Sequence, residues 1–213
     1  MSNIKRNYAK EMDALIQKFD ADTKPKLLLH VCCGPCSSAV LESIASHFAI
    51  YALFYNPNIA PYDEFMKRKK EFVRLVGEMN LSESVNIISC EYENEKFEEL
   101  AKGLETLREG GERCHKCYEL RMREAAQKAK ELGCDYFTTT LSISPMKNSA
   151  VLNEIGERLG EEFGIAHLPS DFKKKEGYKR SIQLSRDYNL YRQDYCGCIY
   201  SKAQREAECQ RTE

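Results

Sequence analysis

Lys26-Leu27-Leu28-Leu29-His30-Val31 and the turn after it, Cys32-Cys33-Gly34-Pro35-Cys36, decide how the chain is read. The first six residues form a short apolar run between Pro25 and a Gly-Pro turn, the pattern of a buried strand. Val40, Leu41, Ile44 and Phe48 follow at helical spacing over Cys36 to Phe48. Ile50 to Tyr55 is a second strand, broken by the turn formers Asn56-Pro57-Asn58. The alternation then continues to the end of the chain. Helices are expected over Tyr62 to Met79, Lys96 to Leu107, Lys116 to Leu132, Asn148 to Phe163, Lys179 to Tyr188 and Ile199 to Cys209. Strands are expected over Val85 to Cys90, Tyr136 to Thr140 and Ile165 to Leu168. Strands alternating with helices build right-handed βαβ units, so the expected fold class is α/β, a parallel sheet covered on both faces. One domain is expected over residues 26–213, closed by a Cys-Gly-Cys loop and a helix. Residues 1–25 are read as a helical extension with Leu15, Ile16 and Phe19 inward.

The 213 residues suffice for a hydrophobic core without disulfide staples, and 42% hydrophobic with 31% charged residues is ordinary for a globular protein. The first 20 residues mix both charge signs without a continuous apolar run, unlike a signal peptide. No segment approaches the ~18 apolar residues of a membrane span. A soluble, cytoplasmic protein with no membrane partner is the expectation. Ten cysteines are unusual for such a protein: a reducing compartment does not keep disulfides, so the thiols point to metal or redox chemistry. The net charge of −1 means that a polyanionic partner must meet local basic patches. Lys67-Arg68-Lys69-Lys70 and Lys173-Lys174-Lys175 with Lys179-Arg180 are the candidates.

Open parallel α/β sheets bind ligands beyond the carboxyl ends of their strands. Those ends are here Cys32 to Cys36, Asn56 to Asn58, Ser142 to Lys147 and Ser170-Asp171, so thiols and polar groups fall on one rim. The cysteines form three groups: Cys32, Cys33 and Cys36; Cys114 and Cys117; Cys196 and Cys198. Cys-x-x-Cys spacing lets two thiolates converge on one metal or one cubane face. Helix starts, where Cys33, Cys36, Cys114 and Cys117 are expected, favour thiolates. Cys90, Cys134 and Cys209 are isolated and read as small buried hydrophobes. A structural zinc closes with four ligands and a disulfide oxidoreductase uses one exposed pair, so neither accounts for seven grouped thiols. Seven is four for a cubane cluster plus three for a further iron with an open position.

His30-Val31-Cys32-Cys33-Gly34-Pro35-Cys36, Glu112-Arg113-Cys114-His115-Lys116-Cys117-Tyr118-Glu119-Leu120-Arg121 and Tyr191-Arg192-Gln193-Asp194-Tyr195-Cys196-Gly197-Cys198 resemble the motifs of the QueH-type epoxyqueuosine reductases. The resemblance runs from Lys26 to Ser201 without departure in the motifs, taking in Asn56 to Ile59, Thr139 to Lys147, Asp171-Phe172 and Gly177 to Ser181; residues 1–25 lie outside it. It implies a fold similar to the adenine-nucleotide α-hydrolase (HUP) group, a parallel α/β/α sandwich. It also implies reduction of epoxyqueuosine to queuosine at the wobble position of tRNA, with a [4Fe-4S] cluster, an additional iron ion and an unidentified electron donor. Its ligand candidates are Cys32, Cys33, Cys36, Cys114, Cys117, Cys196 and Cys198, undivided between the two metals.

Converting an epoxide to an alkene takes two electrons, two protons and loss of water, so proton donors are needed. Asp171, Tyr195 and His30 are the candidates near the rim, and Tyr62, Tyr178 and Tyr195 are candidates for stacking on a splayed base. Two other functions remain open. An iron–sulfur tRNA sulfur-transfer enzyme of the same superfamily would carry a Gly/Ser-rich phosphate loop where this chain has Cys-Cys-Gly-Pro-Cys. A zinc-stabilised RNA-binding module would hold zinc in place of iron.

Overall fold

The computed structural model describes residues 6–20 and 23–211. Five parallel strands, β1 (Lys26–His30), β2 (Ala49–Leu53), β3 (Val85–Ile88), β4 (Tyr136–Thr139) and β5 (Ala166–His167), form one sheet in the order β3-β2-β1-β4-β5. The chain builds outward from β1 in one direction, then returns to add β4 and β5 on the other side. The order therefore reverses between β1 and β4, and a crevice opens at their carboxyl ends. The register sets that edge: His30 lies opposite both Leu53 and Thr139. As the central strand, β1 is covered on both faces, and Leu27, Leu28, Leu29 and His30 are all fully buried.

Helices α2 (Gly34–Ile44), α3 (Tyr62–Glu78) and α7 (Gly177–Asp187) cover one face with the larger apolar cluster of Leu27, Leu29, Val40, Phe54 and Phe72. Helices α5 (Glu112–Glu131) and α6 (Ser149–Phe163) cover the other around Leu28, Phe137, Met122 and Leu159. Helix α5 buries Cys114, Cys117, Tyr118, Arg121, Met122, Ala125 and Ala129 along one stripe. Its alanines bring the helix close to β1 and β4. The same stripe, continued to the N-terminal end, points cysteines at the crevice.

The expected alternation is present, with shifted boundaries. The helix expected over Lys96 to Leu107 is the shorter α4 (Asn94–Ala101). It stops because Lys102 turns extended and Gly103 takes φ +77°. Strand β3 ends at Ile88, before Cys90, whose thiol donates to the Phe54 carbonyl at 2.8 Å. The terminal helix α8 (Ile199–Gln210) buries only Ser201 fully. Cys209 is therefore exposed, contrary to the reading of a buried small hydrophobe, whereas Cys134 is buried as expected. Helix α1 (Tyr8–Ile16) buries Tyr8, Ala9 and Met12, and Leu15, Ile16 and Phe19 pack on the larger core cluster. The remainder of the expected N-terminal extension, residues 1–5 and 21–22, lies outside the described residues. Among the described residues no helix is long and apolar enough to cross a membrane.

Candidate metal centre

The turn after β1 and the first turn of α2 bring Cys32, Cys33 and Cys36 together, with their three sulfurs within 4.8 Å of one another. Cys33 is the N-cap of α2, its sulfur accepting from the Cys36 amide at 3.4 Å, and Pro35 fits the first turn because that position needs no amide. Cys32 is held from the neighbouring strand: its amide donates to Thr140 Oγ1 at 3.3 Å, and the Thr140 hydroxyl donates to its sulfur at 3.4 Å. The three thiols share hydrogen bonds: those with Cys33 and then Cys36, with the charge of Arg121, lower the Cys32 pKa well below that of a free thiol. Hydrogen bonding with Cys32 raises Cys33 to about 12 and raises Cys36 well above its ordinary value.

The other four thiols form no such tight group among the described residues. Cys114 and Cys117 lie one turn apart on α5; Cys198 of the Cys196-Gly197-Cys198 loop closes against Cys117, while Cys114 packs in the cluster of α5 with β1. Burial raises the thiol pKa of Cys114, Cys117 (to about 12) and Cys198. Gly197 makes this closure possible. Its φ is +125°, its carbonyl accepts from the Ala60 amide at 3.1 Å, and an added Cβ would stand 2.9 Å from Ile59 and 3.1 Å from Arg68.

Four cations are buried around the seven thiols: Arg68, Arg113, Arg121 and Lys147. Among the described residues only Arg68 of these has a carboxylate partner, Glu64 at 2.6 Å, and it also donates to the Cys196 carbonyl at 3.1 Å. Arg113 donates from Nη1 to the carbonyls of Leu104, Glu105 and Leu107 and stacks on Tyr200, fixing the loop between α4 and α5. Burial opposes the charge of Lys147, but the nearby Cys196, Tyr118 and Cys32 side chains act against burial and hold its pKa above the ordinary lysine value. Polar atoms of Arg68, Arg113 and Arg121 remain without partners in the interior. Buried positive charge in excess of carboxylates, facing clustered thiols, fits an anionic thiolate-bound metal group.

A cavity of about 1180 Å³ opens above the sulfurs, with Cys32, Cys33, Cys36 and Cys196 in its floor and α8 as one wall. Tyr195 and Tyr178 line it, as the sequence leads one to expect, and Tyr195 lies under the Arg68 guanidinium at 4.9 Å. Burial raises the Tyr195 pKa, and Arg68 acts against that rise. Asp171 is a correction: its carboxylate takes Lys173 at 2.8 Å and the Ser149 hydroxyl at 3.1 Å, and it lines a separate groove between α1, α2 and α7. His30 is a core residue. Its Nε2 donates to the Tyr55 carbonyl at 2.9 Å and its Nδ1 accepts from the Thr139 hydroxyl at 2.8 Å, while burial and Arg121 hold its pKa near 3. Tyr62 is exposed, stacked on Phe65, and outside the cavity.

The basic runs are also redistributed. Lys173 pairs with Asp171, Lys175 with Asp13, Lys179 with Glu176 and Arg180 with Glu42. Arg68 points inward and Lys67 sits over the Tyr191 ring at 3.4 Å. At the cavity mouth stand Arg108 and Arg192 instead, neither in an ion pair among the described residues, beside exposed Met146. Sequence reasoning missed Arg121 and Lys147. The signal for Arg121 was its place one helical turn after Cys117.

The chain and its fold are similar to those of known proteins. Residues 27–204 match the family model described as epoxyqueuosine reductase QueH. Proteins named epoxyqueuosine reductase QueH from Staphylococcus epidermidis and Thermotoga maritima are 42% and 34% identical, over 94% and 84% of this chain and 87% and 91% of theirs. The fold is similar to that of the U34-tRNA thiolase NcsA from Methanococcus maripaludis, a structure with its [4Fe-4S] cluster. That likeness has a TM-score of 0.51 at 14% identity and covers 91% of this chain and 68% of the other. With the match spanning all three cysteine groups and the strands of the sheet, the chain belongs to the epoxyqueuosine reductase QueH family.

Proposed function

We propose that this protein reduces epoxyqueuosine to queuosine at the wobble position of tRNA, using iron held by its seven clustered cysteines. The observation that carries this reading is one cavity lined by Cys32, Cys33 and Cys36 of the first motif, Arg121 of the second and Cys196 of the third, with buried cations in excess around them. The sulfurs of Cys32, Cys33 and Cys36 have the spacing of ligands on one metal, since a tetrahedral metal–sulfur length of ~2.3 Å puts ligand sulfurs about 3.8 Å apart. They would hold a single iron, facing the cavity. Cys114, Cys117, Cys196 and Cys198 would hold the [4Fe-4S] cluster beneath it. Bound there, the two groups supply single electrons and Lewis acidity toward the epoxide oxygen.

The chain's own residues do the rest. The cavity exceeds the ~300–1,000 Å³ of an ordinary small-molecule site, leaving room for nucleotides flanking an extruded nucleoside. Tyr195, on the wall above Cys196, is placed to donate a proton to the departing oxygen, and Arg68 offsets the phenolate charge left behind. Tyr195→Phe is expected to lower kcat about 10²–10⁴-fold with iron content unchanged. A variant within a factor of two of wild type would take the proton donor elsewhere. Arg108 and Arg192 are placed to meet phosphates of the anticodon loop. Replacing both by Ala should weaken tRNA binding and flatten its salt dependence by about two charges. Reversing Lys173 and Lys175, already paired with Asp171 and Asp13, should change the salt slope less.

The sulfur-transfer alternative needs ATP bound after β1. There the α2 amide of Cys36 is taken by the Cys33 sulfur, and Pro35 has none to offer a phosphate. The test is anaerobic: purified protein, a strong one-electron reductant and an epoxyqueuosine anticodon stem-loop, with nucleoside analysis of the product. Queuosine should form without ATP or cobalamin. Turnover that requires either one would sink the two-metal reading, and a wild-type protein carrying zinc alone would favour the RNA-binding module.

A further inference from the structure

Arg121 occupies a position that the proposed reaction leaves without a role. Cys114, Cys117 and Arg121 follow one another at i, i+3 and i+7 on α5, so all three face the sulfurs. Arg121 is 2% exposed. Its Nη2 donates to Asn56 Oδ1, and Asn56 in turn donates to the Val31 carbonyl at 2.9 Å. The guanidinium is thereby tied to the end of β1, from which Cys32 and Cys33 follow. Its Nε lies 3.4 Å from Nε2 of the neutral His30, and its Nη1 has no partner. No carboxylate pairs with it among the described residues, in contrast to Arg68 and Glu64. Cys117 stands one turn before it on the same buried stripe of α5, and Cys32 and Cys196 share the cavity lining with it.

We propose that Arg121 is a positioning residue for the reduction: a fixed positive charge, shared by the two thiol groups, that makes the reduction potential of the iron–sulfur centre less negative than thiolate ligation alone would. The proposal rests on the reading that these thiols hold such a centre. Each added electron increases negative charge in a water-poor interior, and a nearby cation that cannot deprotonate favours the reduced state. Lysine would keep the charge and lose the fork; glutamine would keep a hydrogen-bond donor and lose the charge.

The test compares wild type, Arg121→Gln and Arg121→Lys after anaerobic reconstitution, reading iron and sulfide content and the midpoint potential followed by electron paramagnetic resonance. The Gln variant should be harder to reduce by at least tenfold in the reduction equilibrium, a shift of about −59 mV for one electron, with Lys restoring most of it. If Gln fails to load and Lys loads, the requirement for charge is likewise met. A loaded Gln variant with the wild-type potential overturns the proposal. So does failure of both variants to load, which would make the guanidinium's shape the requirement. A wild-type protein with no reducible cluster would overturn this proposal through the failure of the cofactor reading itself, and is recognisable as that before any variant is made.

Discussion

Serine at both Cys114 and Cys117 is expected to remove the acid-labile sulfide and most of the iron, leaving about one iron per chain of the roughly five that the seven thiols would hold. Serine at both Cys33 and Cys36 should instead spare about four iron atoms and all the sulfide while abolishing turnover. Both pairs should cost more than 100-fold in activity, beyond the ~10–100-fold typical of residues that only support ligands. The contrast rests on geometry: the cavity trio lies within 4.8 Å, while Cys117 and Cys198 pack together in a cluster of their own with Phe97 and Ala101. Iron and sulfide quantitation on anaerobic protein reads the outcome directly. Loss of sulfide on changing Cys33 and Cys36 would reverse the assignment. Cys209→Ser, on the exposed side of α8, should leave both quantities unchanged.

Gly197→Ala should be nearly as damaging, although it removes no ligand. At φ +125° a side chain is strained whatever the space, a cost of about 1–3 kcal/mol. The new Cβ would also stand 2.9 Å from Ile59, which is fully buried and cannot give way cheaply. Relief requires the loop to shift, and with it Cys196, which lines the cavity, and Cys198, which packs with Cys117. Iron content and activity are expected to fall together, with thermal unfolding shifted down by several degrees. A variant with full iron content would show that the loop tolerates a different backbone path. Since the Ala60 amide donates to the Gly197 carbonyl, hydrogen exchange at Ala60 would report whether that path has changed.

The alternation of apolar runs was readable because parallel strands are buried on both faces, which makes Leu27-Leu28-Leu29 continuous and apolar, unlike a surface strand. The end of α4 was not readable: apolar spacing persists through Leu104 and Leu107, and only the positive φ of Gly103 breaks the helix. Basic runs misled for a related reason. A Lys/Arg string looks the same whether it faces solvent, pairs with acids from distant segments, or turns one member inward. Arg68 does the last, bonding Glu64 and the Cys196 carbonyl, and Lys175 pairs with Asp13 from α1.

By itself the sequence determined the α/β class, the rim beyond the strand ends and the three groups of cysteines worth searching for there, because periodicity and Cys-x-x-Cys spacing are local properties. Only the tertiary structure decided that Cys196 joins Cys32, Cys33 and Cys36 in one cavity lining, that Tyr178 and Tyr195 reach that cavity while Tyr62 does not, and that Asp171 is spent on Lys173 and Ser149. It also placed Arg121 in the same lining. Each of these depends on segments far apart in the chain meeting at the reversal between β1 and β4, and burial, which sets the cost of every unpaired charge there, exists only once they have met.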